Sequence, residues 1–171
     1  EKSAYDESQK SKKAPEAHRR GIGVEAWVNP YRLRSSAAMP PNLAENNLAN
    51  LHPDWLCTAG DGLYLNPAVP AAADYVVQGV AELLQNYPVD GIHFDDYFYP
   101  TTDAAIDAAQ FAASGAADLA AWRRQNVTAL VAKVLHHGTS RKILKRSRNI
   151  LFSNRRRRPA KSQTFWNSTY F

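Results

Sequence analysis

The sequence predicts an α/β fold built on parallel strands, and three observations carry that prediction. Val76, Val80, Leu83, Leu84 and Tyr87 recur on one helical face within Pro70–Tyr87. A strand pattern precedes this helix at Ile22–Asn29. Another follows it at Val89–Asp95, after a turn of two or three residues. Strand, connection, helix and strand make a βαβ unit, which sets its two strands parallel with a right-handed crossover.

Residues 1–15 are polar and Lys/Ser-rich and read as a disordered lead-in. Glu16–Arg20 reads as a helix end, with basic residues in its last turn and Gly21 as the stop. The strand Ile22–Asn29 ends at Pro30, which lacks a ladder donor. Residues 35–68 read as a long connection rich in Pro, Asn and Ala. Within it, His52-Pro53-Asp54-Trp55-Leu56 suits a short helical turn, and Asp61-Gly62 marks a turn before Leu63-Tyr64-Leu65. Pro70 suits a first helical turn, and Pro88 forbids continuation. Asp118–His136 is a second helix, striped by Leu119, Val127, Leu130, Val131, Val134 and Leu135. From Gly138 the pattern dissolves, and no third strand is apparent. The organisation expected is a lead-in at 1–15, an α/β body at 16–137 and a basic tail at 138–171.

Composition narrows the classes. The chain has 171 residues, 44% of them hydrophobic, enough for one core. No apolar run reaches the roughly 18–20 residues of a membrane span. Glu1–Lys13 has no apolar stretch of the kind a signal peptide carries. The lone Cys57 allows no intrachain disulfide, and it reads as a small buried hydrophobe. The net charge of +5 averages two regions: residues 1–137 carry −5 and residues 138–171 carry +10.

Strand parity selects candidate site residues. Side chains alternate sides along a strand. Ile92 and Phe94 share one side of Val89–Asp95 and suit packing against helices, which leaves His93 and Asp95 on the other. Glu25, Trp27 and Asn29 likewise oppose Val24, Ala26 and Val28. Asp95 stands at the C-terminal end of its strand, where barrels of parallel strands carry their chemistry. Asp96 points the other way unless the strand has ended. Glycoside cleavage needs two carboxylates about 5–9.5 Å apart, so the partner of Asp95 belongs on another strand. Glu25 lies deeper and reads as a buried hydrogen-bonding residue. Trp27, Tyr31, Tyr64, Tyr97, Phe98 and Tyr99 crowd the strand ends, where aromatic faces stack on sugars. Bland readings stand beside these. Asp95–Asp96 also suits a turn and helix cap. His93 suits an interior hydrogen bond, the aromatics suit a core, and Arg123-Arg124 suits an exposed helix patch. His136-His137 suits a solvated helix end, and no metal-ligand spacing joins it to other residues.

The strings Glu16-Ala17-His18-Arg19-Arg20-Gly21, Ala26-Trp27-Val28-Asn29-Pro30-Tyr31-Arg32, His52-Pro53-Asp54-Trp55-Leu56 and Tyr64-Leu65-Asn66-Pro67 follow one another in order. Asp90-Gly91-Ile92-His93-Phe94-Asp95-Asp96-Tyr97-Phe98-Tyr99-Pro100 and Trp122-Arg123-Arg124-Gln125-Asn126-Val127 complete the series. Over about residues 16–135 the chain resembles the bacterial glycosyl-hydrolase-like family 10 proteins. The resemblance implies a (β/α)8 barrel, here a partial one, because such a barrel typically takes about 250 residues. The two strands resemble the barrel's third and fourth. The resemblance also implies a glycan-cleaving or glycan-binding role, with some relatives being lipoproteins that act on peptidoglycan. Asp95 and Asp96 match the family's acidic pair, and Asn29 and Arg32 match other rim positions. Glu25 stands where relatives are expected to carry histidine. A fifth strand and further βα units are not apparent.

The expectation is therefore a partial glycoside hydrolase-like barrel acting on a cell-wall or related polysaccharide. Asp95 and Asp96 are the catalytic candidates; Trp27, Asn29, Tyr31, Arg32, His93 and Tyr97 are the substrate-binding ones. No metal or organic cofactor is expected, and the partner is a glycan strand. Relatives imply the cell envelope or secretion, and the oligomeric state is open. A non-catalytic carbohydrate-binding fragment is the first alternative. The basic tail, with Arg155–Arg158 in a row, allows three readings: a disordered appendage, a nucleic-acid arm, or a frameshift near residue 135. The frameshift is favoured, because the family pattern stops, the acids vanish and arginine runs appear together.

Overall fold

The computed structural model describes residues 13–95, 98–140 and 149–152. It is mixed α/β with a parallel sheet, as the periodicities predict. The elements in order are α1 (13–19), β1 (Glu25–Val28), β2 (Arg32–Arg34), α2 (Leu48–Leu51), β3 (Leu56–Ala59) and β4 (Gly62–Leu65). Then come α3 (Pro70–Asn86), β5 (Gly91–Phe94), α4 (Ala108–Ser114), α5 (Leu119–Ser140) and β6 (Asn149–Phe152). Short 3-10 turns at Pro53–Trp55 and Ala104–Asp107 precede β3 and α4. The chain divides into two compact units, one holding Gln78–Asp95 with the chain up to Asn29 and from Val134, the other Pro30–Val77 with Asp96–Lys133.

The first unit holds a parallel sheet in the order β1-β5-β6. Its β1–β5 pairing sets Glu25 opposite Gly91, Trp27 opposite His93 and Val28 opposite Phe94. Val28, Ile92 and Phe94 are buried, which is the apolar side that parity assigns. β6 pairs parallel with β5, Ile92 opposite Ile150 and Phe94 opposite Phe152. This corrects the reading that no third strand follows Gly138. Asn149-Ile150-Leu151-Phe152 is too short an apolar run, among arginines and lysines, to stand out by periodicity. Residues 13–15, which the sequence reading places in the lead-in, are already helical, and residues 1–12 lie outside the described residues. The helix stops at Gly21, whose φ of +70° costs a glycine little.

The second unit holds an antiparallel sheet in the order β2-β4-β3. The sequence reading treats this stretch as a connection, because strands of three or four residues carry too little alternation to register. The hairpin pairs Leu56 with Leu65 and Ala59 with Gly62. Its turn is Gly60-Asp61, with Gly60 at φ +54°, one residue earlier than Asp61-Gly62. Gly62 already belongs to the strand. Cys57, Leu63 and Leu65 are buried there.

α3 buries Ala72, Ala73, Val76, Val77 and Val80, close to the expected face. Tyr87 lies beyond its end and is 41% exposed. α5 starts behind Asp118, whose carboxylate accepts the Ala121 N–H at 3.0 Å as an N-cap. It buries Leu130 and Val134, whereas Leu135 is 44% exposed. Among the described residues no helix is long and apolar enough to cross a membrane. The rest of the basic tail, residues 141–148 and 153–171, lies outside the described residues.

Candidate functional site

Two adjacent parallel strands build the candidate site. The register of β1 and β5 sets Glu25, Trp27, His93 and Asp95 on the face opposite the buried Val28, Ile92 and Phe94. Asp95 is the first residue past β5 and is exposed. It therefore stands at the C-terminal edge of the parallel pair. The indole Nε1 of Trp27 donates to Asp95 Oδ2 across 3.4 Å. That is long for a hydrogen bond, so the contact orients more than it binds. His93 Nδ1 lies 3.6 Å from Glu25 Oε2, with both side chains 20% exposed. This is an electrostatic contact beyond hydrogen-bond range.

Spacing decides against pairing Glu25 with Asp95. Glu25 stands opposite Gly91, four residues before Asp95. Four strand residues span about 13 Å, more than the roughly 5–9.5 Å between glycosidase carboxylates. Glu25 instead meets His93 lower on the same face, as its depth predicts.

At the other end of β5 stands a residue to which the sequence reading assigned no role. Asp90 Oδ2 accepts the Val24 N–H at 2.7 Å and lies 2.8 Å from His18 Nε2. Its own backbone N–H donates to the Val24 carbonyl at 2.7 Å. One carboxylate thus ties α1 to the entry of β1. His18 and Asp90 both stand inside the family-like strings, which was the available signal.

The remaining candidates divide. Asn29 is half-buried just after β1, and Arg32 is exposed at the start of β2. Tyr31 is only 1% exposed, and its hydroxyl has no hydrogen-bond partner among the described residues. Its ring packs in the core of the described residues. The reason is local: Tyr31 sits between the buried Pro30 and β2, and its carbonyl accepts the Leu65 N–H at 2.8 Å. Burial, then the nearby Tyr99, push its phenol well above the ordinary range. Asp96 and Tyr97 lie outside the described residues.

Arg123 is the larger surprise. It is 9% exposed, not a surface patch. Its Nε and Nη2 donate to the two carboxylate oxygens of Asp107 at 2.8 and 2.5 Å. Asp107 is fully buried. The guanidinium also donates to the carbonyls of Thr102 at 3.2 Å and Asp103 at 2.6 Å. It lies 5.0 Å from the centre of the Tyr99 ring, and Asn126 Nδ2 donates to the Tyr99 hydroxyl at 2.9 Å. Burial pushes Tyr99 up to about 12, and burial with the nearby Asp107 pushes Cys57 up to about 11. Among the described residues no group of three or more His, Cys, Asp or Glu is placed to hold a metal.

Comparison with known proteins agrees with the residue patterns. The glycosyl hydrolase-like 10 family matches residues 9–145, which extends past the resemblance over about residues 16–135 at both ends. The chain is 38% identical over 125 residues to glycosyl hydrolase YngK of Bacillus subtilis, covering 70% of this chain and 24% of that protein. It is 40% identical over 134 residues to glycosyl hydrolase DigH of Escherichia coli K12, covering 71% of this chain and 30% of that protein. The chain thus spans about a quarter to three tenths of the length of these relatives. With a parallel β1–β5 pair, an acidic strand end and a family match over most of its length, the chain belongs to the glycosyl hydrolase-like 10 family.

Proposed function

We propose that this chain carries part of the working face of a glycoside hydrolase acting on a peptidoglycan-type or related cell-wall polysaccharide. One observation supports this above the others: an exposed carboxylate, Asp95, stands beside the Trp27 indole at the C-terminal edge of two parallel strands. A carboxylate at a sugar ring can act as nucleophile or base, and a flat aromatic face takes the ring's apolar side. Asp95 is the nucleophile or base. Asp96, next in the chain, is the acid or a substrate anchor. Trp27, Asn29, Arg32 and Tyr97 bind the sugar. His93 holds the interior with Glu25.

The test is Asp95→Asn, assayed for reducing-end release from purified glycan strands and for binding to them. The expected result is a loss of turnover on the order of a thousandfold or more, with binding kept. Unchanged turnover in Asp95→Asn rejects the assignment. Binding by the unaltered chain without any release of reducing ends makes it a carbohydrate-binding piece instead.

A further inference from the structure

We propose that Arg123, assisted by Asn126, is a positioning residue that sets the loop between β5 and α4 for glycan binding. The proposal rests on the glycoside hydrolase reading above. In folds of this kind the loops after the strands form the ligand rim, and residues 98–107 are the described part of the loop that follows Asp95.

The loop is gripped at four stations. Arg123 takes the carbonyls of Thr102 and Asp103 and both oxygens of Asp107, and Tyr99 is held through its ring by Arg123 and through its hydroxyl by Asn126. A fifth tie comes from Asn66, whose Nδ2 donates to the Ile106 carbonyl at 2.9 Å. Arg123 and Asn126 lie on α5, so a rigid helix dictates the course of an irregular segment. A buried ion pair is a poor way to gain stability, because desolvation offsets most of the attraction. What the guanidinium adds is a rigid planar fork whose donors fix several acceptors in one arrangement. A loop that had only to connect two elements would need no such fork. Loops that present ligand-binding groups do need it, since small misplacements weaken binding steeply.

The experiment compares the full chain with Arg123→Lys and with the gentler Tyr99→Phe and Asn126→Leu. Amide exchange is read across residues 98–107, and steady-state kinetics are read on purified peptidoglycan glycan strands. Misplacement raises KM, whereas partial unfolding lowers the apparent kcat and leaves KM alone. The expected result is faster exchange in 98–107, unchanged exchange in β1 and β5, and a KM raised about tenfold in Arg123→Lys. Tyr99→Phe and Asn126→Leu shift KM in the same direction by less. Unchanged exchange in the loop overturns the proposal, and so does a loosened loop with KM unmoved. If the unaltered chain cleaves no strands, the functional reading has failed and the comparison passes to Kd for the same strands. A Kd that rises across the variants then supports the positioning role; a constant Kd, or no binding, overturns it.

Discussion

Trp27 and Asp95 are 68 residues apart in sequence, and the register of β1 and β5 brings the indole N–H of the first to 3.4 Å from the carboxylate of the second. The ring and the N–H have separable uses. Trp27→Phe keeps an aromatic face and removes the donor; Trp27→Ala removes both. The expected outcome is glycan affinity within about threefold of the unaltered chain in the first and weakened about tenfold in the second, the latter a loss near 1.4 kcal/mol. Titration calorimetry on defined glycan strands checks it. Equal losses in both would assign the role to the N–H.

Asp90 predicts a stability effect without a catalytic one. Asp90→Ala leaves the Val24 N–H without its 2.7 Å carboxylate acceptor and releases His18. The loss is about 1–3 kcal/mol in urea unfolding. Asp90→Asn keeps an oxygen acceptor and costs less. Glycan turnover per folded molecule stays as in the unaltered chain.

The Arg123–Asp107 pair predicts a non-additive result. Asp107→Ala strands a buried guanidinium and lowers stability by about 3–5 kcal/mol. Replacing both partners, Asp107→Leu with Arg123→Met, recovers much of that loss, because the desolvation cost disappears with the charges. Chemical denaturation of the two variants side by side decides the matter. A double variant as unstable as the single one contradicts it.

Alkaline pH weakens the fold through buried acids. Cys57, Tyr99 and Tyr31 all hold their protons more tightly when folded, chiefly through burial. Unfolded, a thiol titrates near 8.5 and a phenol near 10. The folded state is the better proton binder between those values and the folded ones, about 11 for Cys57 and about 12 for Tyr99. Stability is therefore whole below about pH 8.5 and falls as pH rises beyond it. Melting temperatures from pH 8 to 11 trace the fall. Cys57→Ala flattens its first part, whatever its effect on the starting Tm.

Residues that repeat over several turns or alternate against a clear apolar side were legible in the sequence. The helix of Val76 and Val80, the shared face of Trp27 and Asp95 and the helical turn at Pro53 were all legible in this way. Three things escaped. Strands β2, β3 and β4 are too short to express a period. Tyr31 carries a polar tip on an apolar body, so chemistry alone does not say which governs. Arginine usually lies at the surface, and burial of Arg123 is tolerable because Asp107 and the carbonyls of Thr102 and Asp103 take its donors. A pair sixteen residues apart, one partner on a helix and the other at the end of an irregular loop, has no periodic signature.

β5 keeps its two duties at opposite ends. Asp90 fastens the entry of the strand to α1 and β1, while Asp95, five residues on, faces outward at its exit. Five residues of extended chain separate the two by about 16 Å. At that distance substitutions act independently. A change at the His18 end can thus alter how robust the protein is without disturbing the Asp95 end, and the reverse holds as well.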